Sequence, residues 1–197
     1  MMNIDKDIFK IKTNKIIPKA GKILISEPFL NDYYFGRSVI LLTEHSQEGS
    51  VGFVLNKPIK IALNELLKDF PKFDSLISAG GPVKPDTIHY IHTLGDFLPD
   101  SIMITNGIYW GGDFVELKKL IKSGLIKKDQ IRFFVGYSGW SANQLDNELK
   151  INSWLVSSLD VDTIMKKNEP SIWSESVLQL GDEYKIWLNF PENPKLN

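Results

Sequence analysis

The stretch FFVGYSGWSANQLDNEL, from Phe133 to Leu149, holds the features from which the fold is best inferred. Its apolar run favours a strand up to Tyr137, the small residues that follow favour a turn, and a polar helix is expected next. Ser141 and Gln144 have the spacing of a capping box, which places the start of that helix near Ala142. The stretch therefore predicts a strand, a glycine-assisted corner and a helix in immediate succession.

Strand patterns dominate the chain before this stretch. The segments GKILISEP, RSVILLTEH and VGFVLNKP predict three strands, of which the last two form a hairpin over residues 37–58. SLISAGGPV, DTIHYIHTL and SIMITNGIYWGGD each predict one further strand. A helix is expected over IALNELLKDF, where the leucines recur at helical spacing, and another after Asp113, which suits an N-cap.

The order of these elements decides the fold class. After the helix that follows the corner, SWLVSSLD predicts a strand and SIWSESVLQLG a last helix. Hairpins come early and helices alternate with strands later, which indicates an α+β fold with a mixed or mostly antiparallel sheet and flanking helices. No repeat or linker divides the chain, so we predict a single domain over residues 1–197.

The amino-acid composition argues against some classes of function. The net charge is -1 and the only arginines are Arg37 and Arg132, so direct nucleic-acid binding is not expected. Residues 1–22 are rich in lysine, but isoleucines interleave with the lysines, and we expect this segment to pack on the domain with its lysines outward. There is no cysteine, and neither a signal peptide nor a membrane span is visible. These features predict a cytosolic protein that does not enter the membrane.

A serine hydrolase is the enzymatic alternative. Gly136, Tyr137 and Ser138 fit the start of a nucleophile elbow, but Trp140 stands where the elbow needs glycine. All three histidines precede this serine, unlike the order in α/β-hydrolases. A second route to catalysis is proton transfer by the adjacent Glu44 and His45.

Anion and metal sites have weaker signals. The loops GYSGWS and YWGGD precede predicted helices, where backbone amides favour anions, but neither is a P-loop or a dinucleotide fingerprint. His89 and His92 are three residues apart on a predicted strand, which places them on opposite faces. We therefore predict no metal site and no cofactor.

Six segments together resemble one known family. GKILISEP, RSVILLTEH, GSVGFVLNKP, GGPV, NGIYWGGD and FVGYSGWSANQLDNEL occur in this chain in the order and spacing of the bacterial YqgE/AlgH family. The resemblance covers residues 20–190, and the basic segment 1–20 lies outside it. It implies a single α+β domain whose split sheet curls into a pseudo-barrel. Family members are often labelled transcriptional regulators, and the resemblance implies no catalytic residue or cofactor.

Positions in these family motifs, together with Ser138 from the elbow-like segment, are the candidate binding residues. They are Glu44, His45, Asn56, Gly80, Gly81, Tyr137, Ser138, Trp140 and Gln144. We expect the bends at strand ends to bring Tyr137, Trp140 and His45 into one neighbourhood, as a cleft for a small ligand or a protein. The predicted function is a non-catalytic binding or regulatory module acting through a small molecule or protein partner. The alternative is a hydrolase-like enzyme that uses Ser138 or the Glu44–His45 pair.

Overall fold

The first three strands lie side by side at the centre of the molecule. A computed structural model describes residues 14–30, 32, 34–166 and 169–191. In it β1 (Ile23–Ser26) pairs antiparallel with β2 (Val39–Ser46), which pairs antiparallel with β3 (Gly49–Val54). Every residue of β1 and the first five of β2 are buried, because both faces of these strands are covered. The predicted hairpin is confirmed.

Within the described ranges, six more strands and five helices follow this group. They are α1 (Leu63–Leu66), β4 (Leu76–Ala79), β5 (Val83–His92), β6 (Ile102–Thr105), β7 (Ile108–Trp110), α2 (Phe114–Lys122), β8 (Ile131–Ser141), α3 (Gln144–Lys150), β9 (Trp154–Ser157), α4 (Val161–Lys166) and α5 (Ser171–Leu180). A 3-10 helix at Asp182–Asn189 follows α5.

The nine strands of the described residues belong to one sheet. Its order is β6-β7-β5-β8-β3-β2-β1-β9, with β4 beside β8. Within this part of the chain only the pairing of β4 with β8 is parallel, so the predicted α+β class with a mostly antiparallel sheet is confirmed. The sheet is not closed into a barrel, since β6 and β9 remain its two ends. It does curl, because Gly21, just before β1, lies against the side chain of Thr105 at the end of β6.

The sheet splits along β8. The first half of β8 lies between β4 and β5, and its second half pairs with β3. The chain after β3 leaves β8 and runs beside β4, where the Ile59 amide donates to the carbonyl of Ile77 at 2.9 Å. The strand β4 therefore occupies the fork between β8 and the continuation of β3.

The buried side chain of Arg132 connects the segments around this fork. It donates to the carbonyls of Leu55 and Ile164 and, at 3.0 Å, to the hydroxyl of Ser78. The guanidinium also lies 5.4 Å from the centroid of the Phe134 ring. Burial lowers the pKa of Arg132 to about 9, which leaves it charged at neutral pH. One of the two arginines is thus a structural cation.

Three groups of buried side chains form the interior. The first core lies on the α5 side of the sheet and includes Ile23, Ile25, Leu41, Phe53 and Trp173. The second core, under α2, includes Leu63, Tyr90, Leu117 and Phe133. The third core, under α3, includes Leu24, Ile40, Trp140, Leu145 and Trp154. Since neighbouring residues of β1 belong to the first and third cores, these cores lie on opposite faces of the sheet.

The prediction of a corner at Gly-Tyr-Ser-Gly-Trp is wrong. These residues are part of β8, which continues to Ser141 because its last four residues pair with Gly49–Gly52 of β3. Gly136 has a φ of +65°, and β5 bulges opposite it between Val83 and Ile88. The chain turns instead at Asn143, which has a φ of +61°. The helix after it, α3, forms as predicted, with the Ser141 amide donating to the Gln144 side chain at 3.0 Å.

Two other predictions need correction. SIMITNGIYW is a hairpin of β6 and β7 rather than one strand, because Asn106-Gly107 forms the tight turn that this dipeptide favours. IALNELLKDF contains only the single helical turn of α1. Leu67 is already extended, and Asp69 has a φ of +59°, so the helix cannot continue. The predicted N-cap at Asp113 is confirmed by bonds to the amides of Val115 and Glu116.

The N-terminal segment is described only in part. Residues 1–13, on which most of the prediction about the lysine-rich segment falls, lie outside the described residues. The Asn14 side chain bonds to both the amide and the carbonyl of Val156, at the edge of β9. Ile17, however, is 78% exposed, so this stretch is not packed throughout. Within the described ranges, no helix has the length and apolarity needed to cross a bilayer.

Candidate functional site

Ser138 has a structural role in β8. Its side chain is 0% exposed, and its hydroxyl donates to the carbonyl of Gly80 at 3.0 Å. All three histidines are among the described residues, and none of them hydrogen-bonds to Ser138; their polar contacts are with other groups. The geometry therefore lacks the nucleophile–base contact that a serine hydrolase requires.

Gly80 and Gly81 allow two strands to approach closely. A Cβ atom on Gly80 would collide with the carbonyl oxygen of Gly136, and one on Gly81 would collide with the backbone of Tyr137. Gly81 also has a φ of +151°. These two predicted site residues are brought against β8 and shape the backbone there.

Trp140 and Gln144 meet at one carboxylate. The Glu148 side chain accepts from the indole of Trp140 at 2.9 Å, the indole of Trp154 at 2.7 Å and the amide of Gln144 at 2.9 Å. Trp140 is only 6% exposed. We call Trp140, Gln144, Glu148 and Trp154 the Glu148 corner. Its polar groups hydrogen-bond to one another. Both indole rings are also buried, so they offer little surface to a ligand.

Glu44 and His45 do not form an acid–imidazole pair. They are successive residues of β2, opposite Val51 and Ser50 respectively, and therefore point to different faces. His45 Nδ1 lies 2.8 Å from the Ser50 hydroxyl, and no hydrogen bond joins Glu44 to His45 in the described part of the chain. The cross-strand contact explains His45 as part of the hairpin.

Asn56 stabilises the open end of the same hairpin, where β2 begins. Its side chain is 2% exposed, accepts from the Val39 amide at 2.9 Å and donates to the Arg37 carbonyl at 2.8 Å. A buried amide with both ends bonded in this way stabilises the backbone where β2 begins. This position has a structural role that the sequence pattern alone did not show.

The expected neighbourhood of Tyr137, Trp140 and His45 is formed only in part. His45 pairs with Ser50, and Ser50 pairs with Trp140, so His45 and Trp140 lie on the same face. Tyr137 is three residues before Trp140 on β8 and packs against the first core, on the opposite face. Tyr137 instead lies beside His89, with the ring centroids 5.6 Å apart.

A cleft with a mixed apolar and polar lining lies beside His89. Its volume is about 740 Å³, within the range of small-molecule sites. We call it the β5 cleft. Its walls come from α1, β5, β6, β7, β8 and the start of α2, and the lining residues are Leu66, Leu67, Pro85, Asp86, Ile88, His89, Tyr90, Asp100, Ile102, Trp110, Gly111, Gly112, Phe114 and Val135.

His89 is a neutral imidazole within an aromatic group. The Thr87 hydroxyl donates to the carbonyl of Lys84 at 2.8 Å, so His89 Nε2–H is the donor in the 2.9 Å contact with that hydroxyl. Its ring centroid lies 5.4 Å from that of Phe53 and 6.3 Å from that of Trp110. Burial, and then the Lys84 ammonium, lower the pKa of His89. Nδ1 is therefore an acceptor at neutral pH.

Tyr90 and His92 fix the wall at Gly111 and Gly112. The Tyr90 hydroxyl donates to the Gly112 carbonyl at 2.7 Å, and burial, followed by the charge of Asp113, raises the pKa of Tyr90 to about 12. His92 Nδ1 accepts from a backbone amide, so Nε2–H donates to the Gly111 carbonyl at 2.9 Å. Burial lowers the pKa of His92 and keeps it neutral. The wall is thus held by two neutral side chains.

Local sequence patterns do not indicate this cleft. His89 enters the sequence-based predictions only in the argument against a metal site, and Trp110 lies within the family motif NGIYWGGD. The two histidines do point to opposite faces of β5, as the strand prediction requires, since His89 contacts Phe53 and His92 stacks on Tyr109. No group of three or more metal-ligating side chains exists among the described residues. Aromatic residues on neighbouring predicted strands were the signal that could have revealed the site.

Comparison with known proteins gives consistent results. A family model described as AlgH-like matches residues 23–185. UPF0301 proteins of Bacteroides fragilis and Bacteroides thetaiotaomicron are 46% and 47% identical to this chain, over 100% of it and 100% of their own lengths.

Two solved structures share the fold. The AlgH protein from Pseudomonas aeruginosa has a TM-score of 0.69 at 24% identity, covering 92% of this chain and 98% of its own. Protein DIP2367 from Corynebacterium diphtheriae has a TM-score of 0.73 at 20% identity, covering 96% and 100%. Sequence match and fold agree with the six motifs, and the chain therefore belongs to the YqgE/AlgH family.

Proposed function

We propose that the protein is a non-catalytic binding module whose ligand occupies the β5 cleft. The observation that supports this most is that apolar side chains, a neutral imidazole and two exposed aspartates line one opening of about 740 Å³. Such a combination of apolar surface with a few polar groups is typical of ligand sites. The serine and acid–imidazole alternatives lack a matching geometry, since Ser138 donates to Gly80 and His45 contacts Ser50.

The lining determines what kind of ligand fits. Ile88, Phe114 and the indole of Trp110 favour an apolar or aromatic body. His89 Nδ1 is an acceptor, and the exposed carboxylates of Asp86 and Asp100 attract donors and cations. The preferred ligand therefore has an apolar body and donor or cationic groups.

A regulatory role would act through this ligand rather than through DNA. Phosphate backbones are repelled by acidic side chains, and both charged residues that line the cleft are aspartates. The proposed module is cytosolic, in keeping with the absence of cysteine. A mobility-shift assay at two salt concentrations is expected to show no salt-sensitive binding to duplex DNA. Tight binding that weakens steeply with salt would contradict the proposal.

The proposal is tested by ligand-induced stabilisation. We would screen small aromatic amines and short peptides by thermal unfolding of the wild type, Trp110→Ala and Ile151→Ala. A ligand at a hundred times its dissociation constant adds about 2.7 kcal/mol to the free energy of unfolding. The stabilisation should be lost in Trp110→Ala and retained in Ile151→Ala, which changes an exposed apolar residue outside the cleft. Equal stabilisation of all three proteins would show that the ligand binds elsewhere.

A further inference from the structure

The β5 cleft lies along the edge of a strand. Three consecutive residues of β5, Ile88, His89 and Tyr90, all line it. Successive side chains of a strand point to opposite faces, and here Ile88 and Tyr90 contact the second core while His89 faces Phe53 of the first. An opening that touches both faces must run beside the strand, where its backbone groups project.

The neighbouring strand covers only the end of this edge. β7 pairs with β5 at Ile91 and His92 alone, and the last backbone bond is from the Gly111 amide to the Tyr90 carbonyl at 3.1 Å. Gly111 and Gly112, with φ of +70° and +112°, then turn the chain away into α2. Among the described strands, none lies beside β5 on this side before Tyr90.

The backbone of Ile88 faces the cleft. Because the Tyr90 carbonyl accepts from Gly111, the backbone groups of Tyr90 point away from β8. In an antiparallel ladder the direction alternates, so those of His89 point toward β8 and those of Ile88 point, like those of Tyr90, toward the cleft. The Ile88 amide and carbonyl are therefore placed as one donor and one acceptor for an added strand.

The two charged residues that line the cleft beside this edge are both acidic, although the Lys84 ammonium lies close enough to lower the pKa of the imidazole next to it. Asp86 and Asp100 line the cleft and are exposed, and neither forms an ion pair with any residue in the described ranges. An acidic rim is complementary to lysine or arginine side chains on a bound segment. The apolar groups inside, Trp110 on one face and Phe114 on the other, suit apolar side chains of the same segment.

We propose that the β5 cleft binds an extended peptide segment as an added strand, antiparallel to β5 and in line with β7. The segment has apolar residues that enter the cleft and at least one basic residue that meets Asp86 or Asp100. The Ile88 amide and carbonyl supply the backbone bonds, as in other cases of strand addition. This inference rests on the proposed function, because it names the ligand class of the same cleft.

The test compares peptides that differ only in their backbone or charge. Fluorescein-labelled pentapeptides that combine lysine with valines for both faces of the cleft would be titrated with the protein and followed by polarisation. Methylation of alternate peptide nitrogens on the side that faces β5 should weaken binding by about tenfold or more, since it removes donors and adds bulk. Replacing lysine by glutamate should weaken binding by a similar factor. Equal affinity of methylated and unmethylated peptides would overturn the proposal.

Variants of the protein distinguish strand addition from the more general proposal that the cleft binds a ligand. The double variant Asp86→Asn, Asp100→Asn should lose affinity for the lysine peptides and keep that for a valine–threonine peptide. Both substituted side chains are exposed, so the double substitution should change the free energy of unfolding little. If no peptide in the panel binds while a small aromatic amine still stabilises the protein in a Trp110-dependent manner, strand addition is wrong and the proposed function stands. If neither class binds, both fail.

Discussion

The Glu148 corner and the β5 cleft contain similar residues arranged to opposite effect. In the corner, two indoles and an amide donate to the same carboxylate, and Trp140 is buried against Phe35 and Trp154. In the cleft, Trp110 and His89 line an opening, and a strand edge and two carboxylates face outward. Aromatic and polar residues close together therefore do not identify a site. What distinguishes a site is whether its polar groups are satisfied within the protein.

The largest expected difference between the two regions is in stability. Trp140→Ala should lower the free energy of unfolding by about 3–5 kcal/mol, because it leaves a large cavity in the third core. Trp110→Ala should cost less than half of this, since Trp110 is only partly buried. Urea unfolding of both variants measures the two losses. A similar loss at both positions would remove the contrast between a packed corner and an open cleft.

Removal of the carboxylate at the corner should have the next largest effect. Glu148→Ala leaves the two indole N–H groups without their acceptor, at a cost of about 1–3 kcal/mol. Glu148→Gln keeps an acceptor oxygen and should cost less. Peptide affinity at the cleft should be unchanged in both variants. If either one weakened peptide binding severalfold, the two regions would be coupled and the separation would be wrong.

A smaller change in the free energy of unfolding is expected for a substitution at the wall of the cleft. Tyr90→Phe removes the bond to the Gly112 carbonyl and should cost about 1 kcal/mol at neutral pH. Unfolded tyrosine ionises near pH 10, whereas the pKa of folded Tyr90 is about 12. Between these values the folded state holds the extra proton, so the free energy of unfolding falls as pH rises. The fall between pH 10 and 12 should be shallower in Tyr90→Phe, and an identical slope would contradict this.

The smallest effect is expected at Glu44. Its side chain is exposed and makes no hydrogen bond to His45, so Glu44→Gln should change the free energy of unfolding by no more than about 0.5 kcal/mol. Affinity at the cleft should also be unchanged. His45→Ala is the matched comparison, since it removes the contact with Ser50 and should cost more. A large effect of Glu44→Gln on ligand affinity would revive the acid–imidazole interpretation.

Local sequence patterns predicted most of the fold. The apolar, β-branched runs in RSVILLTEH and VGFVLNKP located a hairpin whose strands are central, and Asp113 caps α2 as expected. The course of β8 could not be read in the same way. Glycine and serine favour a turn locally, but pairing of Ser138–Ser141 with β3 extends the strand through them. The pairing is a long-range interaction that no local pattern contains.

The candidate site was less predictable than the fold. Asn56 and Gly80 were selected by resemblance and Ser138 by its elbow-like surroundings, and the structure explains each by a backbone contact. The cleft depends on where β7 stops beside β5, which is decided by the turn at Gly111 and Gly112. The glycines were visible in the sequence, but the strand edge that they leave uncovered becomes apparent only once the strand order is known.

The most direct measurement is the mapping of amide chemical shifts during titration of the protein with a valine–lysine pentapeptide. Our account predicts saturable shifts at Asp86, Ile88 and Tyr90 on β5 and at Gly111 and Gly112, with protection of the Ile88 amide from solvent exchange. The indole N–H signals of Trp140 and Trp154 in the Glu148 corner should stay in place. Shifts concentrated at the corner, with those of β5 unchanged at saturation, would contradict it.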